Sequence, residues 1–293
     1  MPNGPASRTV NPVHAATHHS DRYFLLFSGI TPNLPAKWRS QGSACDRAAS
    51  AVYDPDRVTA GNSLAPLSVE MAKAACSKEV ANVNHSARID FEMGRTLLAD
   101  GDMQGARREF EIAMDRGYAA ARIDLADMLL GRSESLRDTK LGVSLLERAW
   151  ADHVAIAADK LGSFYEYGVT VPERVASAKA TQDDARVMQW YQRGAAADEP
   201  YALAHLAERA EFHSLNQSDA TERNSDLLRA FQLYARAVKV AQSQGWPSEA
   251  WQHWRYRRAS LARLLANDGL MQRVATAYAA ILRENQSLSV AAH

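Results

Sequence analysis

Charge of one sign, cysteine and long apolar runs are all scarce in this sequence, and each shortage excludes a class of protein. Across 293 residues, 34 Lys and Arg stand against 34 Asp and Glu, so the formal charge is zero. A chain that binds polyanions by releasing counterions needs a basic surplus, and none is present, which argues against a general nucleic-acid or acidic-membrane binder. The longest apolar run, Tyr23 to Ile30, falls far short of the roughly 18 residues needed to span a bilayer, so no membrane span is expected. No CxxC, HExxH, GxSxG or Gly-rich phosphate loop occurs. The sequence therefore points to no enzyme, no cofactor, no metal and no small-molecule substrate.

The run Tyr23 to Ile30 follows Arg22 and precedes Gly42-Ser43-Ala44-Cys45, an eroded likeness of a secretory signal whose core is too short and too far from its cleavage point. Residues 1–40 hold scattered Pro, Gly, Asn and Ser with no helical period and read as a disordered leader. His14, His18 and His19 lie there without carboxylate or thiol company, so a metal tract is not expected. Cys45 and Cys76 are the two cysteines. Two readings stay open at this point. They close a disulfide worth on the order of 3 to 4 kcal/mol in an oxidising compartment, or they are two small buried thiols.

From residue 84 onward one pattern recurs. Ile89-x3-Met93-Gly94-x2-Leu97 is followed by Ala106-x3-Phe110-x2-Ala113, and the same letters return from Ala121 to Ala149, from Ala157 to Gly194 and from Ala202 to Ala237. A looser fifth unit runs from Leu261-Ala262-x2-Leu265 to Val274-x3-Tyr278-x2-Ile281. Offsets of three, four and seven return to one face of a helix, so each unit is two amphipathic helices that cannot hide their apolar stripes alone. Gly94, Ala126, Gly162, Ala207 and Ala262 remove bulk where a second helix crosses, and Phe110, Leu146, Tyr191 and Tyr234 fill the space. The interval from Ala113 to Ala121, Ala149 to Ala157 and Gly194 to Ala202 is eight each time, which predicts a fixed inter-unit turn. The expected fold is all-α, an α-solenoid of about five helix-turn-helix units.

The first unit, with Gly94, Leu97, Gly101, Ala106, Phe110 and Ala113 at their spacings, resembles a tetratricopeptide (TPR) repeat. The third, Ala157-Ala158-Asp159-Lys160-Leu161-Gly162-Ser163-Phe164-Tyr165-Glu166-Tyr167-Gly168 with Trp190-Tyr191, resembles a Sel1-like repeat. The stretch from Cys45-Asp46 through Asp54-Pro55-Asp56-Arg57 to Ala75-Cys76 is similar to a segment that precedes such repeats in bacterial proteins carrying caspase-like peptidase domains. The resemblance implies a bacterial all-α adaptor that binds other proteins and is often exported. Localisation stays open, with the resemblance and the cysteine pair leaning toward export or the periplasm over the cytoplasm.

The expected organisation is a leader at 1–40, a Cys-containing cap at 41–83, the Sel1-like/TPR repeats at 84–284 and a flexible tail at 285–293. The expected function is a non-catalytic interaction scaffold that holds a peptide or partner helix on its concave face; the alternative is a substrate-positioning region of a peptidase system whose catalytic domain is absent from this chain. The second stripe of the first helices supplies the groove: Arg88, Phe91 and Arg95 in unit one, Asp127 in unit two, Asp159, Glu166 and Tyr167 in unit three, and Glu208 in unit four. Positive gives way to negative along it, with Phe91 and Tyr167 as anchors for a protein partner. His85, His153, His205 and His213 read as surface or turn histidines. Trp251 and Trp254 read as a core stripe beneath a basic flank rather than a nucleic-acid platform.

Overall fold

The computed structural model describes residues 42–64, 67–132, 135–168, 184–270, 272–277 and 279–281. The expected leader and tail, residues 169–183 and Tyr278 lie outside the described residues. Among those described, every regular element is helical, and the one β feature is an isolated parallel bridge between Ala51 and Asn62. The helices are α1 (Ala44–Ala49), α2 (Val69–Val80), α3 (Ala87–Asp100), α4 (Met103–Asp115), α5 (Ala121–Arg132), α6 (Leu136–Ala151), α7 (Ile156–Tyr167), α8 (Asp184–Ala196), α9 (Pro200–Leu215), α10 (Ala220–Ser243) and α11 (Ser248–Asn267). Residues 272–277 and 279–281 are also helical. Each described helix packs chiefly on its neighbours in the chain, the arrangement of a helical solenoid.

The small-meets-large pattern is literal. A Cβ added to Gly94 would lie 2.6 Å from the Phe110 ring, and one added to Gly162 would lie 2.4 Å from the Tyr191 ring. Glycine lets α3 and α7 approach their partners until ring touches backbone. Gly142 repeats the device from the other side, with Leu130 2.6 Å from where its Cβ would be.

The constant turn is equally concrete. Backbone N–H groups of Tyr118, Val154, Glu199 and Trp246 donate to the carbonyls of Ala113, Ala149, Gly194 and Ala241 at 2.9, 2.9, 2.9 and 2.8 Å. Each bond closes a helix end over one left-handed residue, in chain order Gly117 (φ 86°), His153 (64°), Asp198 (54°) and Gly245 (74°). Two of the four positions therefore hold a side chain where glycine is the unstrained choice. The other ends follow their chemistry: Gly101 (φ 85°) stops α3, the Asp102 carboxylate accepts from the Gly105 N–H to start α4, and Pro200 opens α9.

The fifth unit departs from its expected register. Helix α10 runs a further turn past Ala237, so Ala241 closes the fourth turn. Counting on from Ala241 as in the other units puts Trp254, not Ala262, at the crossing position. Trp254 is buried edge-on against Tyr201, with ring centroids 5.0 Å apart, whereas Ala262 is half-buried. Trp251, Leu261 and Leu265 join the same core, so the tryptophans are a core stripe.

The segment before the repeats has its own order. Ser43 and Asp46 form a reciprocal capping box on α1. Cys45 and Cys76 are joined in a disulfide with Cα atoms 4.6 Å apart, and both are buried with Ala49, Leu67, Ala72 and Ile89. The bond closes a loop whose middle, residues 51–62, has almost no regular structure and lies on the first helices of the array.

Candidate functional site

Successive first helices α3, α5, α7, α9 and α11 present one face, and polar side chains cross it like rungs. Lys160 on α7 meets Asp127 on α5 at 2.9 Å. His205 on α9 lies 3.4 Å from Asp159 on α7 and 3.4 Å from Glu208 on its own helix. Arg209 on α9 reaches Glu166 on α7 at 2.6 Å, and Arg257 on α11 pairs with Glu211 on α9. The Glu166 carboxylate also accepts from the Tyr191 hydroxyl at 2.8 Å. Three of the expected groove residues, Asp127, Asp159 and Glu166, are thus rungs between repeats, and Glu208 pairs within its own helix, rather than being unpaired groups awaiting a partner. Tyr167 is half-buried on the same face, its hydroxyl pushed up to about 12 by burial and by Glu166.

The rungs have the electrostatics that burial dictates. Burial opposes charge on His205, but the hydrogen bond to Glu208 and the neighbouring Asp159 outweigh it and push its pKa up to about 9. His205 is therefore an imidazolium at neutral pH, stacked at 4.7 Å on the Tyr191 ring. It is not the surface histidine its isolated position in the sequence suggests. Burial raises the Asp159 carboxyl, against the pull of His205 and Lys160.

At the other end of the face the expected anchors are covered. Phe91 is fully buried, its ring 5.3 Å from Tyr118 and 6.1 Å from Phe110, and Arg95 is 2% exposed. The Arg95 guanidinium donates to the Asn62 carbonyl at 2.9 Å and lies 5.8 Å from the centre of the Tyr53 ring. Arg88 donates to Asp46 at 2.6 Å. The expectation that Arg88, Phe91 and Arg95 line an open groove is corrected: the cap segment sits on Arg88 and Arg95, and Phe91 is buried against Phe110 and Tyr118. It supplies the aromatic and carboxylate groups that satisfy those cations.

Residues 51–62 touch four separate places. The Tyr53 hydroxyl donates to the buried Asp124 carboxylate on α5. Asp54 accepts from the Tyr118 hydroxyl at 2.5 Å, at the first inter-unit turn. Arg57 donates to the Gln244 carbonyl at 2.6 Å, at the fourth. Asn62 holds Arg95 on α3. Burial raises Asp124, and it pushes Asp54 up to about 6 despite the Tyr118 bond.

Beneath the cap lies Glu92, fully buried, its pKa pushed up to about 10 by burial and by the charge of Asp46 and a hydrogen bond to it. Asp46 remains an anion because Arg88 and the Ser43 N–H outweigh its own burial. Glu92 and Asp46 divide the roles of neutral acid and carboxylate. No sequence signal marks Glu92, since its helical phase alone puts it at the edge of the stripe.

Among the described residues no three His, Cys, Asp or Glu side chains converge as a metal site, and no helix is long and apolar enough to cross a membrane. Farther along, the first-helix face is open: Glu208 is half exposed, and Phe212 (70%), Leu215 (81%) and Tyr256 (62%) project from α9 and α11. No family model, no curated protein and no solved structure matches this chain.

Proposed function

We propose that this chain is a non-catalytic interaction scaffold, a Sel1-like or TPR-type solenoid that holds a segment of a protein partner on the face of its first helices. One observation carries the reading: that face already holds an irregular polypeptide segment, residues 51–62, through side chains and through a backbone carbonyl. A surface that satisfies a chain in this way has the geometry to satisfy another. Large apolar side chains at Phe212, Leu215 and Tyr256 continue the same face and give a partner area to cover. The ion-pair rungs keep the helices in register beneath it.

The test is site-specific photo-cross-linking in the native host. A cross-linkable amino acid in place of Phe212 or Tyr256 should capture a defined protein, and the same group in place of Ile112, on the second helix α4, should not. Equal capture from both faces, or none from the first-helix face, removes the reading.

A further inference from the structure

Residues 51–62 are bound where the proposed function puts a partner, and their manner of binding defines a socket. Its floor is Asp124, which is 7% exposed and accepts from the Tyr53 hydroxyl. One wall is the Arg95 guanidinium beside the Tyr53 ring, and Arg95 also grips the Asn62 carbonyl. The rim is the Tyr118 hydroxyl, which donates to Asp54. A buried carboxyl at the bottom of a slot walled by a guanidinium asks for an aromatic ring with a donor at its tip, and in this chain tyrosine answers.

Three features make the occupant removable. Its contacts with the first helices are polar, and although Ala51, Val52 and Thr59 are buried at its two ends, Pro55 and Asp56 are exposed and Arg57 and Val58 are only half-buried. Local opening of such a segment costs far less than global unfolding. The Cys45–Cys76 bond closes the loop at its base, and Thr59 and Asn62 bond to α1 carbonyls, so the stretch from Tyr53 to Val58 can lift while its base, α1 and α2 stay packed on α3. The ends are already adjacent, with the Asn62 N–H donating to the Ser50 carbonyl at 2.7 Å. A tethered segment also returns readily, because the tether keeps its local concentration high.

We propose that the slot formed by Arg95, Tyr118 and Asp124 is a recognition site for a tyrosine-bearing turn, held closed by this chain's own residues 51–62 until a partner presenting such a turn displaces them. This rests on reading the first-helix face as peptide-binding.

The probe is a fluorescent synthetic peptide of residues 51–62, closed end to end by a short linker, followed by anisotropy. It is titrated against the native chain and against a variant with residues 52–60 replaced by Gly and Ser, Cys45 and Cys76 kept. The variant should bind the probe roughly tenfold or more tightly than the native chain. A probe carrying Tyr53→Phe should lose most of that binding. A second variant, Tyr53→Phe with Arg57→Ala, retains the loop and should gain affinity for the native-sequence probe in the same direction should the first not fold. Equal binding to native and variant chains overturns the closed socket but leaves the face a peptide binder. No binding to either variant overturns the proposed function as well.

Discussion

The guanidinium of Arg57 donates to the carbonyl of Gln244, 187 positions away in the sequence. That bond joins the loop before the first repeat to the turn after the fourth, so the two ends of a four-unit array are tied by a side chain. Replacing Arg57 by alanine should cost about 1–2 kcal/mol and raise amide hydrogen exchange both in residues 51–62 and in residues 244–246. Faster exchange in the loop alone would mean that the fourth turn is held by its own contacts.

The left-handed turn residues make a second prediction. His153 has a φ of 64° at the position occupied by Gly117 and Gly245 in two other turns. His153→Gly should stabilise the protein by up to about 1 kcal/mol, read from the denaturation midpoint. Asp198→Gly should not, because the Asp198 carboxylate accepts from Arg236 at 2.7 Å and its loss offsets the relieved strain. Equal gains at both positions would contradict the assigned role of that carboxylate.

These turns also show what the sequence can and cannot tell. The eight-residue interval and the pairs Gly94 with Phe110 and Gly162 with Tyr191 were legible because a helical period and a size contrast are written in single letters. The left-handed conformation at His153 and Asp198 was not, since neither residue type requires it. Phe91 and Arg95 were misjudged for a different reason. Their position on the first-helix face was readable, but Phe91 turns inward onto Phe110 and Tyr118, and the cover of Arg95 comes from residues 51–62, which have no period; a count of two cysteines does not decide whether Cys45 and Cys76 bond. Ala262 was misplaced because α10 runs one turn past Ala237, and counting from Ala241 puts the crossing position at Trp254, eight residues before Ala262.

His205 gives the chain a stability that is lost at alkaline pH. Its folded pKa, about 9, lies above the ordinary histidine value of 6.5. The contribution is therefore fully present below about pH 6.5 and is lost as pH rises through about 9, on the order of 1–3 kcal/mol. Melting temperatures from pH 6 to 10 should fall more steeply for the native chain than for His205→Gln, and parallel curves would show that Asp159 and Glu208 do not hold the proton.

Close packing at the glycine crossings can be tested by compensation. Gly162→Ala should destabilise the array by about 1–3 kcal/mol, because the new Cβ would fall 2.4 Å from Tyr191 Cε1. Adding Tyr191→Leu should recover part of the loss in chemical denaturation. A second substitution that only deepens the damage would place the cost elsewhere than in the crowded contact.

Cys45→Ala with Cys76→Ala removes the closure of a loop whose ends are 31 positions apart. The expected cost is about 3–4 kcal/mol, and limited proteolysis should cut first between residues 50 and 68. Unchanged proteolysis would mean that the packing around Leu67 and Ile89 holds the cap without the bond.

The Arg57 to Gln244 bond also acts as a ruler. Each inter-unit turn closes on its own helix and tolerates one more hairpin beside it, as in any stacked array. Splicing an extra hairpin between α4 and α10 would carry Gln244 away from the reach of one arginine side chain, so a lineage that keeps this bond cannot lengthen the stretch it measures. Growth is left to the far side of α11.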